Sequence, residues 1–363
     1  MNGKADIVVN TRSLTAALSG VQRYVNEVCR WLGTRIEQVA PASAMQGVRG
    51  HVWEQMRLPW TVRSRLLWSP ANSGPVSVKR QVVTVHDVAP LDHPEWFNPR
   101  LAFWYRMMTP VLVRRSHRII TVSQYTKRRL MEITGAPGAR IVVIPNGVDG
   151  RFVPQPADDI RRVRQDLGIP SARYVLSLAT VEPRKNILGQ LQAWSRCVQR
   201  LPADVWLVIA GNNGARRVFS EVKLDSPPPR VHFAGFVPDD KLPALYGGAM
   251  ALLYPSIYEG FGLPVLEAMA TGTAVIVSES TALPEVVGTA GIQVDPRNFE
   301  AIADAIRRVV EDGTLRHELS RRALRQSRLF SWEKTSELTW EVLRRANSCS
   351  VREGPDDAVS SYS

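Results

Sequence analysis

Two glutamates, Glu259 and Glu267, lie eight positions apart in YEGFGLPVLEAMATGTAVI, Tyr258 to Ile276. Gly260, Phe261, Gly262, Leu263 and Pro264 follow the first of them. ALLYPS reads as a strand leading into this stretch, and LPVLEAMATG as a short helix that Gly272 ends. The glycines permit backbone angles that other residues resist. Pro264 suits the first helical turn, where its missing N–H costs nothing. Helix-start N–H groups favour an anion, and nearby carboxylates can accept hydroxyl protons from a sugar or ribose. The set suits a ligand carrying phosphate and several hydroxyls. A strand–turn–helix with a capping acid satisfies the same spacing, so spacing alone leaves both open.

A second constellation favours the ligand. TVEPRKNILG, Thr180 to Gly189, follows the strand-like YVLSL and precedes a helical pattern. Arg184 and Lys185 therefore stand at the C-terminal end of a strand, where open α/β sheets bind ligands. A guanidinium and an ammonium there would neutralise a diphosphate.

The elements that must hold these residues follow from periodicity. Short β-branched runs fall at 6–9, 82–86, 118–122, 140–144, 174–178, 205–210, 230–235, 251–255 and 274–278. Their lack of polar alternation predicts parallel strands covered on both faces. Helical patterns intervene, among them 20–32, 123–134, 187–200 and 299–312. Alternating β and α units predict an α/β, doubly wound architecture. NGVDGRFVPQPADD, 146–159, reads as a linker. It divides a domain over 1–155 from one over 156–331. Phe330 to Ala346 predicts a last helix with Ser331 as its N-cap signal. The polar tail 347–363 is expected to be disordered.

The chain has 363 residues, 44% of them hydrophobic, enough for two buried cores. No apolar run is long enough to predict a membrane-spanning helix, and the first residues lack a signal-peptide pattern. Three scattered cysteines, Cys29, Cys197 and Cys349, argue against a disulfide framework and fit a reducing cytoplasm. The net charge of +12 is uneven. Residues 1–150 hold 20 Lys and Arg against 9 Asp and Glu, +11, and the remainder 26 against 25, +1. An anionic partner for the first half is one reading and an arginine-rich surface the other.

The residues resemble the family 4 glycosyltransferases, which are retaining enzymes. Glu259 and Glu267 match that family's pair of glutamates separated by seven residues. VEPRKN resembles its donor-phosphate motif. TVHDVAP, TVSQYTKRRL and IPNGVD resemble segments of its N-terminal domain, and GFVPDDKLPALYGGAMALLYPSIYEGFG a block of its donor domain. The resemblance spans roughly residues 5–345. It implies the GT-B fold: two Rossmann-like domains facing across a cleft, with the C-terminal helix 332–346 crossing back to an acceptor-binding first domain. The second domain would bind the nucleotide-sugar donor.

The same resemblance implies roles. Glu267 would bind the ribose hydroxyls, and Glu259 would contact the transferred sugar or support the reacting centre. Arg184 and Lys185 would hold the diphosphate. Gly260, Phe261, Gly262 and Leu263 would line the sugar and phosphate pocket. Gly20 and Val21, in ALSGVQRY, match the family's first glycine loop with one glycine where many relatives carry two. His86 and Asp87 end the strand VVTVH and are candidates for sugar or acceptor contact; a packed histidine and a capping aspartate fit too. Arg23 and Tyr24 are candidates for the acceptor side. No D-x-D triplet or metal-spaced cluster occurs, so no catalytic metal and no cofactor beyond the donor is expected.

The expected reaction is hexosyl transfer, first guess mannose from GDP-mannose, to a lipid-linked or saccharide acceptor in bacterial O-antigen, capsule or exopolysaccharide assembly. Aromatic and basic residues interleave over 92–118, with Trp96, Phe97, Phe103, Trp104 and Tyr105 beside Arg100, Arg106, Arg114, Arg115 and Arg118. Part must be core, and the rest suits peripheral contact with an anionic inner membrane. Two other readings exist. A GT-B epimerase or phosphorylase is opposed by the glutamate pair standing with EPRKN. A basic nucleic-acid-binding protein lacks any recognised module, so no nucleic acid is expected.

Overall fold

The nine β-branched runs and three further segments form, among the described residues, twelve parallel strands in two six-stranded sheets. The computed structural model describes residues 5–15, 19–43, 45, 47–178, 182–211 and 228–348. The chain divides into two units, one of residues 1–147 with 331–363 and one of 148–330. The division falls at Gly147 rather than 155, because Val148 already bonds Phe330 within the second unit (3.4 Å).

The first unit contains β1 (Ile7–Asn10), β2 (Glu37–Val39), β3 (Leu66–Ser69), β4 (Gln81–Val85), β5 (Arg118–Thr121) and β6 (Ile141–Val143). Their spatial order is β2-β1-β3-β4-β5-β6. The second contains β7 (Arg173–Leu178), β8 (Val205–Ala210), β9 (Val231–Gly235), β10 (Ala251–Tyr254), β11 (Ala274–Ser278) and β12 (Ile292–Val294), ordered β12-β11-β10-β7-β8-β9. Numbered within its own unit, the second sheet runs 3-2-1-4-5-6, the dinucleotide-binding order. Strand direction of travel reverses between β1 and β3 in one sheet and between β7 and β10 in the other. Ligands of such sheets bind beyond the strand C-termini at those two points.

β2, β3 and β12 add to the strands that periodicity predicted. β2 and β12 are three-residue edge strands with polar centres, and β3 is a four-residue run inside RSRLLWSP. The central strands β3, β4, β10 and β11 are buried along their whole length. That is why they lack alternation.

The helix Trp332–Ser348 belongs to the first unit, where it packs on the helix Gly20–Leu32 and on β3, β4 and β5. Trp332 meets Tyr24 edge-on at 6.1 Å, and Arg35 lies over the Trp340 ring at 5.7 Å. Val342 and Leu343 are buried, while Leu338 is half-buried. The expected tail begins later than 347: Asn347 continues the helix and its carbonyl accepts from Arg80 at 2.7 Å. The rest of that tail, 349–363, lies outside the described residues, as do Thr180 and Val181.

Candidate functional site

In the second unit the site is built where β7 and β10 part. Past β7 the chain makes one short turn, Pro183–Lys185, and enters the helix Ile187–Cys197 through Asn186. Asn186 takes left-handed angles (φ 54°, ψ 41°), which asparagine tolerates better than most residues. Its Nδ2 donates to Pro255 O (3.0 Å) and Pro296 O (2.7 Å), and Ile257 N donates to Arg184 O (2.7 Å). These bonds fasten the loops after β7 and β10 together. Asn186 is thus part of the site's frame, which its sequence position alone did not announce.

The fastening brings three of the predicted charges together. Lys185 Nζ donates to Glu259 Oε1 at 2.6 Å and also bonds the Tyr254 hydroxyl. Arg184 Nη1 reaches Glu259 Oε2 at 3.4 Å, and its Nε donates to Glu182 at 2.5 Å. Lys185 and Glu259 are buried; Arg184 is partly exposed. Burial opposes the Glu259 charge, but Lys185 and Arg184 outweigh it and hold this carboxyl below the usual range. Burial pulls Lys185 below the lysine range, against the attraction of Glu259 and with the repulsion of Arg184. The ammonium therefore relies on Glu259 for its charge. Both Glu259 oxygens are engaged by cations, an arrangement suited to positioning and not to a free nucleophile.

Glu267 lies in the middle of the helix Leu263–Ala270, buried, with Oε2 accepting from the Tyr246 hydroxyl at 3.0 Å. Gly262 precedes that helix at φ 102°, and a Cβ there would stand 2.5 Å from Leu283 Cδ2. Phe261 turns its ring onto Phe330 (5.9 Å, edge-on). Gly260 is buried beside Glu259, whose own N–H bonds Thr281 Oγ1 at 3.3 Å. Tyr246 and Thr281 support the glutamates through contacts more than twenty residues distant in sequence, and Tyr254 meets Lys185 from another loop; no local pattern signals them.

The first unit places its predicted residues less uniformly. Gly20 and Val21 open the helix Gly20–Leu32 behind Ser19, with Gly20 exposed and Val21 and Arg23 half-buried. Tyr24 is a correction. It is fully enclosed between Trp68 (6.2 Å), His86 (4.8 Å) and Trp332, and burial pushes its phenol to about 12. The second residue of an amphipathic pair faces the core here, so Tyr24 packs and does not line an acceptor surface. His86 is buried, with Nε2 donating to Pro70 O at 2.8 Å, and burial lowers its pKa against that bond and the Asp87 charge. Asp87 Oδ1 accepts from Ala89 N (3.1 Å), capping the turn after β4.

A polar hollow of roughly 280 Å³ opens beyond β1 and β3, where the first sheet's order reverses. Asn10, Arg12, Ser13, His51, Glu54 and Tyr105 line it among others. Glu54 is wholly buried and accepts from Asn10 (2.6 Å), Ser73 (3.1 Å) and Arg12 (3.5 Å). Arg12 Nε and Ser13 Oγ are buried without a hydrogen-bond partner, which is unusual in a finished protein interior. The sequence reading missed this hollow because β3 was missed, and with it the reversal point. Among the described residues no group of three or more His, Cys, Asp or Glu is arranged to hold a metal ion.

Comparison with known proteins gives the family and the fold. The profile described as Glycosyl transferases group 1 matches residues 159–326, and that described as Glycosyltransferase Family 4 matches 59–151. O-antigen chain mannosyltransferase B of Escherichia coli is 32% identical over 267 residues, 73% of this chain and 70% of that protein. The chain belongs to the family 4 glycosyltransferases. Serotype-specific mannosyltransferase WbdA of Escherichia coli is 31% identical over 276 residues, 73% of this chain but only 33% of WbdA. Among solved structures, Anabaena HepE in complex with UDP and glucose aligns over 94% of this chain and 99% of its own, with a TM-score of 0.74 at 19% identity. That likeness gives the fold, two Rossmann-like units of the GT-B type. In this family 4 glycosyltransferase the charged site lies wholly in the part matched by the group 1 profile, and the polar hollow in the unit that carries the family 4 match.

Proposed function

We propose that the chain transfers mannose from GDP-mannose, with retention of configuration and without a metal, to a lipid-linked saccharide acceptor in assembly of a bacterial surface polysaccharide such as O-antigen. The observation that carries it is the Arg184–Lys185–Glu259 cluster at the β7/β10 reversal point. The two relatives named as mannosyltransferases support the sugar, and the one named as an O-antigen chain mannosyltransferase supports the setting.

Glycosyl transfer from a nucleoside diphosphate is limited by separating an oxocarbenium-like sugar from the departing diphosphate. Cations fixed at that diphosphate lower the barrier by preorganised electrostatics. Arg184 and Lys185 supply two, held in place before the donor arrives. Glu267, oriented by Tyr246, binds the ribose hydroxyls, and the backbone of residues 260–263 follows the sugar and phosphate. A diphosphate oxygen takes the acceptor proton on the face it leaves. This same-face route suits a Glu259 already committed to two cations. The hollow lined by Arg12 and Glu54 balances one positive charge against one negative, so it suits the hydroxyls of a neutral acceptor saccharide better than a phosphate. The chain works at the surface of the membrane that carries its acceptor.

The test is a donor panel. GDP-mannose should raise the melting temperature and support transfer more than UDP-, ADP- or dTDP-sugars, and chelator should leave transfer intact. Preference for another donor refutes the mannose assignment, and loss of transfer to chelator with rescue by magnesium or manganese refutes the metal-free route.

A further inference from the structure

The helices that line the polar hollow carry apolar residues on their outer faces. Val48, Val52 and Met56 of the helix Gly47–Met56 are exposed, and Trp60 of the following helix Leu58–Val62 continues the four-residue spacing at 81% exposure. On the helix Pro99–Arg115, Phe103, Met107 and Val111 repeat the same spacing, with Phe103 at 67%. Residues four apart share one helix face, so these are two stripes. They border the seam between the helices, where His51, next to Val52, and Trp104, next to Phe103, meet at 5.2 Å. An apolar outer face is not needed for folding: the inner faces already place Leu58 and Val62 in the core with Val8 and Leu67, and Leu112 and Val113 against β4 and β5 residues.

The charges around the stripes select the partner. Arg49, Arg57, Arg63, Arg100, Arg106 and Arg114 are exposed, and the two segments hold no acid except the buried Glu54. A second copy of the chain would set arginine against arginine. We propose that this helix pair inserts its stripes into the interface of an anionic lipid bilayer, with the arginines on the headgroups. The inference rests on the lipid-linked acceptor reading and deepens it: one face of the pair would meet the lipid while the other lines the saccharide hollow. It keeps Phe103, Arg106 and Arg114 of the surface that composition suggested, adds the helices 47–56 and 58–62, and drops residues that pack inward. Trp96 stacks on His93 at 3.8 Å and Trp104 packs on His51; both are half-buried, as are Phe97, Tyr105 and Arg118.

The test is sedimentation of the full chain with vesicles of phosphatidylglycerol and phosphatidylcholine, or of phosphatidylcholine alone. The substitutions Val52→Ser, Met56→Ser, Trp60→Ser, Phe103→Ser and Met107→Ser, combined, should weaken binding by roughly tenfold or more, since each removes the insertion of one large apolar side chain. GDP binding and melting temperature should not change. Replacing Arg57, Arg63, Arg100 and Arg106 by Gln should abolish the preference for phosphatidylglycerol. Wild-type binding should weaken but persist in about 1 M salt, where charge attraction is screened beyond about 3 Å. Unchanged vesicle binding by the five-residue serine variant overturns the proposal. So does a wild-type dimer that this variant turns into a monomer without any loss of vesicle binding, which would assign the stripes to a second copy. Vesicle binding is read without any sugar donor, so failure of the mannose assignment leaves its result intact.

Discussion

At the scale of single residues, the site works by mutual dependence of charges. Glu259 is the only acid that touches both Lys185 and Arg184 among the bonds described, and its charge keeps a buried ammonium charged. Glu259→Gln should destabilise the fold at neutral pH by on the order of 3 kcal/mol, the cost of leaving buried cations without their partner. The folded pKa of Glu259 is depressed, so its stabilisation is present above the ordinary carboxyl pKa and is lost as pH falls through the lower folded value. The gap between wild-type and variant melting temperatures should therefore narrow below about pH 4; a gap constant from pH 7 to pH 3 contradicts the pairing. Glu267→Ala should weaken GDP binding by about 1–3 kcal/mol through loss of a charged hydrogen bond, read by calorimetry. Unchanged affinity removes Glu267 from the nucleotide. The meeting of Arg184, Lys185 and Glu259 was legible because such charges stand near turns of recognisable composition. Tyr254, Tyr246 and Asn186 were not, because their roles arise only when distant loops meet. Tyr24 misled for a related reason: a residue near the start of a helix can face inward, and only packing decides.

At the scale of elements, two tight passages position the chemistry. Gly262 enters the helix Leu263–Ala270 at φ 102°, with Leu283 against the space a Cβ would need. Gly262→Ala should cost about 1–3 kcal/mol and reduce donor affinity, because the backbone it turns is the one expected along the phosphate. Denaturant unfolding and GDP titration measure the two effects; a silent substitution would show that the turn is slack. Gly147 occupies the other passage, where a Cβ would stand 2.1 Å from Trp332 N. Chain leaving the first unit and chain re-entering it pass backbone to backbone there, so no side chain fits. The long amphipathic helices 20–32 and 299–311 were readable nearly to the residue, because a buried stripe repeats every three or four positions. The short edge strands β2 and β12 were not, since three residues hold too little pattern. β3 was the consequential omission: without it the first sheet's reversal point, and the hollow beside it, had no address.

At the scale of the whole molecule, the two units share one plan and differ in charge. Each is a parallel sheet with a single reversal point, and each has a polar, partly buried site beyond that point. One concentrates fixed cations around a carboxylate, as a departing diphosphate requires. The other balances Arg12 against Glu54, as neutral hydroxyls require. The surplus of positive charge counted over residues 1–150 lies outside that balance, with seven exposed arginines in the segments 47–63 and 99–115 whose apolar stripes face solvent. Charge counting found the asymmetry but could not find the surface, because arginines at 49, 57 and 63 gain meaning only beside helix 99–115. The central claim is that Arg184 and Lys185 carry the leaving diphosphate. The most direct measurement is steady-state transfer from GDP-mannose by the Arg184→Ala, Lys185→Ala double variant, with folding monitored by circular dichroism. Turnover should fall by about two orders of magnitude or more, in line with loss of preorganised transition-state charge, while the variant remains folded. A folded double variant turning over within a few-fold of wild type would contradict the account.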